Sequence, residues 1–251
     1  IRRVLSLEWF LRGKKMIRKS SFIKLFLIFI LAASLNVYSQ TFPTNFFIDY
    51  EIKQLDQEGG ILKVVFTQDK NLYSLTANSE TIGILKLFGD RQITSDGLIS
   101  KNGFKPFYFS HKNKKKPEKN IQSNFLHDLK KIEVIYKGQT KQYDLGDDYL
   151  DLATFMFQFN FEENNKKKYQ FNVVEGKKMR IYEYEFIKDQ VLTIDEQLID
   201  SKIFEGKVNK DDRTKHYVWI SKNPYRIPLK IKVTTDLGLL LDLKINKTNL
   251  F

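Results

Sequence analysis

The sequence predicts a mainly β fold: a curved antiparallel sheet or partly open barrel of meander topology, with one or two short helices, one of them on the concave side. Three observations carry this. Short alternating apolar and polar segments recur from Phe46 onward, each bounded by Gly, Asn, Asp or Lys. Phe and Tyr together make up 33 of the 251 residues. Cysteine is absent, so the chain must be held by its core, without disulfides.

The first methionine is Met16, and "IRKSSFIKLFLIFILAASLNVYSQ" follows it. Arg18, Lys19 and Lys24 form a basic lead, Leu25 to Leu35 an apolar run, and Val37 and Ser39 place small residues before Gln40. That is the three-part pattern of a secretory signal peptide cleaved near Ser39/Gln40. The apolar run is about eleven residues, short of the roughly 20 that a membrane-spanning helix needs; a retained anchor is the other reading. Residues 1–15 precede the expected start. We therefore expect residues 1–39 to be an upstream extension plus signal peptide and residues 40–251 a single β-rich domain. The protein is expected to be periplasmic or otherwise exported, with no stable membrane span after cleavage. A lipid anchor at the cleavage junction would need a cysteine that the chain lacks.

Within residues 40–251, "NFFIDYEIKQL" is followed by the turn "DQEGG", "ILKVVFTQ" by "DKN", and then comes "LYSLTANS". Later "KKIEVIYK" is followed by "GQT", "YQFNVV" by "EGKK", and "MRIYEYEFI" by "KDQ". Aromatic and β-branched runs between such turns predict hairpins, about eleven to thirteen strands in all. Two segments break the pattern. "DLATFMFQF" follows "DLGDDY", and Asp151 is placed to cap a helix over 152–160; from Phe157 onward its alternation also allows a strand. "TIGILKLFG", residues 81–89, reads as a second short helix ended by Gly89.

Net charge is +12, from 42 Lys+Arg against 30 Asp+Glu. Residues 1–39 hold eight of the bases and one of the acids, so the remainder carries 34 against 29, a balance that calls for no nucleic acid. The surplus is concentrated in "HKNKKKPEK" (111–119) and "ENNKKKY" (163–169). Both read as solvated turns, the alternative being contact with an anionic surface. No phosphate loop, nucleophile elbow or cofactor motif is present, and no cofactor is expected. His111, His127 and His216 lack partners at metal spacing and read as structural. Asp147, Asp148 and Asp151 lack the spacing of a calcium loop, and helix capping accounts for them better. Glu183 and Glu185 share one strand face, on the solvent side, with Tyr182, Tyr184 and Phe186 on the other; as a catalytic pair they are unpersuasive.

Three stretches, "TSDGLISKNGFKPFYFS" (94–110), "DLATFMFQF" (151–159) and "YVWISKNPYRIPLKIKV" (217–233), in this order and spacing resemble DUF3108, a family of exported β-rich bacterial proteins of unknown function. The matching positions are Gly97, Gly103, Pro106, Asp151, Trp219, Pro224, Pro228 and Gly238. The resemblance implies structural roles for them: glycines at turns, and Pro106 and Pro228 near strand starts or edges. It implies no catalytic residues. The lysine-rich turn 112–119 departs from the family pattern.

The resulting expectation is a non-catalytic envelope protein that binds a lipid or other apolar ligand on the concave side, beside Leu152, Phe155, Met156 and Phe159. The alternative is a structural or interaction module that docks an envelope protein or polysaccharide through exposed aromatics and basic turns such as Lys114, Lys115 and Lys116.

Overall fold

The structure is a computed structural model that describes residues 42–176, 178–209, 215–234 and 238–251. The signal peptide and the start at Met16 lie outside the described residues. Strands β1 (Asn45–Gln54), β2 (Gln57–Asp69), β3 (Leu72–Thr81), β4 (Arg91–Ser100) and β5 (Gly103–Asn113) are followed by β6 (Ile121–Leu126), β7 (Lys131–Tyr136) and β8 (Gln139–Asp144). The second half is β9 (Tyr149–Asp151), β10 (Lys168–Glu175), β11 (Lys178–Ile194), β12 (Gln197–Val208), β13 (Lys215–Ser221), β14 (Pro228–Thr234) and β15 (Leu240–Thr248). The expected count of eleven to thirteen is exceeded because β8 and β9 give little pattern. Strand β8, "QTKQYD", has almost no apolar face, and β9 has three residues.

All fifteen strands lie in one sheet, ordered β8-β7-β6-β5-β4-β3-β2-β1-β15-β14-β13-β12-β11-β10-β9. Each strand except β8 thus neighbours the next in sequence, the first and last strands pair with each other (Ile48 opposite Thr248, Gln54 opposite Leu241), and the free edges are β8 and β9. Those edges are consecutive in the chain, joined by residues 145–148. In a flat sheet they would stand roughly 65 Å apart at ~4.8 Å per strand, whereas this link reaches only about 18 Å. The sheet must therefore curl until its edges nearly meet, which makes it the partly open barrel expected from the sequence. Both edges are blunted, β8 by polar exposed side chains and β9 by brevity. Every pair is antiparallel except β9 with β10.

Alternation places one face of each strand inside. Phe46, Ile48, Tyr50 and Ile52 of β1 are buried, and Phe47, Asp49 and Glu51 are not. The interior takes almost all the aromatic excess. Among the described residues Phe107 is the one exposed aromatic side chain, so the fold leaves little exposed aromatic surface.

One end of the barrel is filled by residues 152–161, the plug. The expected helix over 152–160 is instead a run of turns through Met156 followed by a 3-10 segment, Phe157–Phe161, and no strand begins at Phe161. The cap is present as expected: Asp151 Oδ1 accepts from the amides of Ala153 and Thr154, both at 2.9 Å. A regular helix would align Phe155 with Phe159 on one side, but the walls surround the segment. Tight turns instead spread the rings: Phe155 onto Tyr182, Phe157 onto Phe42 and Phe46, Phe159 onto β10–β12, and Phe161 onto Phe42 and Phe104. Polar ties fix it at the same end. Gln158 accepts from the Phe104 amide and donates to the Asn102 carbonyl, while Asn160 accepts from the Arg226 amide. Buried Arg226 donates to the Glu162 carbonyl and to the Tyr169 hydroxyl.

Several motif positions are explained here. Gly103 turns the β4–β5 hairpin with φ 103°, and a Cβ there would stand 2.1 Å from the Gln158 amide oxygen. Gly103→Ala is therefore expected to cost about 2–3 kcal/mol, from backbone strain plus loss of the Gln158 bonds; a urea titration checks it, and a loss under ~0.5 kcal/mol would contradict the geometry. Gly97 and Pro106 correct the expectation of a turn and a strand start. They face each other at a bulge inside β4 and β5, where a Cβ on Gly97 would meet the Lys105 carbonyl and the missing Pro106 amide breaks no ladder bond. Pro228 does open β14, and Gly238 sits before β15 with φ 75°. Pro224 follows a cis peptide bond, and Trp219 donates from Nε1 to Gln190.

Candidate functional site

Strand β4 starts with an arginine on its inward face. Ser95 and Ile99 are buried, and alternation puts Arg91 and Ile93 on the same side, at the end of the barrel away from the plug. Arg91 is half-buried, and its one side-chain partner among the described residues is His111, with Nη1 and Nε2 3.1 Å apart. Burial lowers the pKa of the guanidinium, and no carboxylate offsets it. His111, on β5 opposite Ile93, is pushed down to about 4 by burial and then by the Arg91 charge. At neutral pH the pair is thus one cation and one neutral imidazole that can accept from it.

Around Arg91 lies an apolar cavity of about 500 Å³, walled by Ile52, Leu85, Phe88, Ile93, Leu241 and Leu243. Its volume falls within the ~300–1,000 Å³ of small-molecule sites. Leu85 and Phe88 come from the 3-10 segment Gly83–Phe88, the expected second helix. Gly89 ends it as expected, with φ 77° and its amide donating to the Lys86 carbonyl. The segment is anchored because the Thr81 amide and hydroxyl both donate to Asp90, which lowers that carboxyl's pKa. An apolar wall with one cation and a few polar groups (Ser79, Thr81, His111) can hold an elongated molecule with an anionic end.

The residues expected from the sequence lie at the other end of the barrel. Phe155 and Phe159 are buried against aromatic rings, and Leu152 and Met156 are half-buried, Met156 Sδ receiving the Tyr184 hydroxyl at 3.7 Å. None of the four lines the cavity. Beside the plug, at the seam between β8 and β9, runs a polar slot of about 620 Å³ edged by Lys105, Lys130, Asp147, Asp148 and Lys166. His127 meets the Pro106 carbonyl and buried His216 the Tyr184 hydroxyl. Glu183 and Glu185 stand on the outer face, Glu185 paired with Lys168. Among the described residues no three His, Cys, Asp or Glu side chains gather at metal distance, and no helix is long and apolar enough to cross a membrane.

Sequence reasoning missed Arg91 and read its partner His111 as structural. The available signal was a charged residue at an inward position of an alternating strand, "RQITS", which becomes visible only once the register of β4 is known.

Comparison with known proteins places the fold. The model of the family described as "Protein of unknown function (DUF3108)" matches residues 49–244. No curated protein matches by sequence. Among solved structures, the chain is similar to a β-barrel-like protein of domain of unknown function DUF1849 from Brucella abortus, with TM-score 0.59 and 13% identity over 83% of this chain and 98% of that one. Weaker likenesses are to a proposed lipoprotein from Parabacteroides distasonis (TM-score 0.34, 11% identity, 82% and 96% covered) and to a proposed outer membrane lipoprotein-sorting protein domain from Vibrio parahaemolyticus (0.24, 13%, 82% and 85%). The first of these shares the barrel-like fold; the other two are too distant to add to it.

Proposed function

We propose, for a chain that belongs to DUF3108, a family of proteins of unknown function, that the barrel is a non-catalytic exported protein that binds an acidic amphiphile. Its apolar tail lies along Leu85, Ile93, Leu241 and Leu243, and its anionic head meets Arg91. The observation that supports this reading most is the half-buried Arg91, on an apolar cavity, with no carboxylate partner among the described residues. A cation withdrawn from water without a counter-charge is costly, and an incoming carboxylate or phosphate would relieve that cost through charge-assisted hydrogen bonds. The export pattern of residues 16–40 supports a place in the envelope, where acyl-bearing acids are abundant.

The test is a titration with a fluorescent long-chain fatty acid, competed by the matching neutral alcohol. The wild-type protein is expected to prefer the acid by about 10–100-fold, the worth of a charge-assisted pair, and Arg91→Gln to erase that preference while still binding the alcohol. Equal displacement by acid and alcohol in the wild-type protein would refute the role of Arg91, and no uptake of either would refute the cavity as a binding site.

A further inference from the structure

The segment that walls the cavity also faces outward. Leu85 points in and is buried, whereas Ile82, Ile84 and Leu87 point to solvent, Ile84 and Leu87 being 56% and 61% exposed. The same end of the barrel carries Leu55, at the tip of the β1–β2 turn, 72% exposed, and Leu240 at the start of β15. Five large aliphatic side chains thus stand on one rim, in a protein whose aromatics are almost all inside.

The lysine-rich turn is built onto this rim by Asn113. The buried Asn113 side chain donates from Nδ2 to the Phe88 carbonyl and accepts at Oδ1 from the amides of Lys115 and Lys116, at 2.9 and 3.0 Å. The Lys114 amide donates to the Asp90 carbonyl, and the Lys115 stem packs so closely on Gly89 that a Cβ there would stand 2.6 Å from it. Apolar lip and basic turn are therefore one tied unit. Lys86, Lys114, Lys115 and Lys119 are exposed, and none lies within 4 Å of a carboxylate among the described residues. Among the described residues the acids of this rim are Asp56, Glu58 and Glu118, which are exposed, Asp90, held by Thr81 and near enough for the charges of Lys114 and Lys86 to act on it, and Glu80, paired with Lys63.

We propose that this rim is a docking surface for an anionic phospholipid bilayer, with Ile84 and Leu87 entering the acyl boundary and the lysines of 114–119 and Lys86 lying over the headgroups. Exposed aliphatic side chains ringed by lysines that make no close ion pair among the described residues match that interface in both polarity and charge. A purely solvated turn would account for the lysines and leave the five aliphatic side chains unexplained. Docking here would bring the cavity mouth, behind Leu85 and Phe88, to the bilayer. The surface stands on its own geometry, whatever the cavity holds.

The test is co-sedimentation of the purified protein with neutral phosphatidylcholine vesicles and with mixed phosphatidylcholine and phosphatidylglycerol vesicles. Strong, salt-sensitive binding to the mixed vesicles is expected, with little to the neutral ones. Each lysine contributes about fivefold in partitioning, so the Lys114→Gln, Lys115→Gln, Lys116→Gln triple variant should bind about 100-fold more weakly. Ile84→Ser with Leu87→Ser, both at exposed positions where circular dichroism is expected to show an unchanged fold, should lose at least tenfold. Arg91→Gln should bind vesicles as the wild type does, which separates this surface from the cavity reading. Equal binding to both vesicle types, or undiminished binding by the lip variant, overturns the proposal. So does a dimer that the lip variant dissolves while the wild-type protein ignores vesicles, since a second copy would then be the occupant.

Discussion

Phe159→Ala is expected to lower the unfolding free energy by about 3–5 kcal/mol, the largest loss of any single aromatic truncation in the plug. Phe159 is fully buried, and its ring meets those of Tyr169, Phe171, Tyr184 and Phe204 at 5.0–5.3 Å. These four come from β10, β11 and β12, so one side chain ties three strands to the plug. Removing it leaves a void that the surroundings cannot fill: Tyr169 is held by Arg226 and Tyr184 by His216, and neither ring is free to move inward. For a domain of this size the loss corresponds to a fall in Tm of roughly 10–15 °C. Phe161→Ala, at a half-buried position touching Phe42 and Phe104, should cost distinctly less, about 1–2 kcal/mol. Thermal melts of the two variants decide the matter. Equal losses would mean that the plug is not anchored through Phe159.

Only part of this fold is legible in the sequence. Alternation in "NFFIDYEIKQ" specifies which side chains of β1 face in, because a period of two leaves no choice once one face is buried. It does not say how far the sheet curls. That information lies in the pairing of Ile48 with Thr248 and in the short link 145–148, neither of which has a local signature. The Asp151 cap was legible because it acts over three residues. The form of the segment it caps was not, since Phe155, Phe157, Phe159 and Phe161 satisfy a strand period and a helical one, and only the surrounding walls decide between them. Aromatic abundance pointed to the plug as the place for a ligand. The cavity instead lies at the opposite end, because large rings fill the space they line, and aliphatic residues beside Arg91 leave it open. The apolar residues of the second segment, residues 81–89, divide between the cavity and the solvent, which no single period in the sequence indicates.

The interior carboxyl of Asp151 should make stability fall as pH rises from about 4 to about 6. Asp151 is fully buried, and burial pushes its pKa up to about 6, against the opposing pull of four donors: the Ser95 hydroxyl, the Thr154 amide and hydroxyl, and the Ala153 amide. In the unfolded chain an aspartate titrates near 3.9. Between these values the folded protein holds more protons than the unfolded one, so its stability declines with pH, by up to about 3 kcal/mol over the window. Below pH ~4 both states are protonated and the contribution is complete; above pH ~6 both are ionised and it is gone. Asp151→Asn removes the titration. Its Oδ1 can still accept from Ala153 and Thr154, and its Nδ2 can donate to Ser95, which in turn can donate to Tyr73, 2.9 Å away. The asparagine variant, an analogue of the protonated carboxyl, should therefore be close to wild type at pH 4, exceed it by up to about 3 kcal/mol at pH 7, and show no decline between pH 4 and 6 beyond that of the remaining groups. Asp151→Ala leaves the same four donors without an acceptor inside the barrel and should lose about 2–4 kcal/mol at every pH. Urea titrations of the three proteins at pH 4, 5, 6 and 7 measure all of this, and a wild-type stability that rises across the window as steeply as that of the asparagine variant would show that Asp151 is ionised throughout and acts only as a cap.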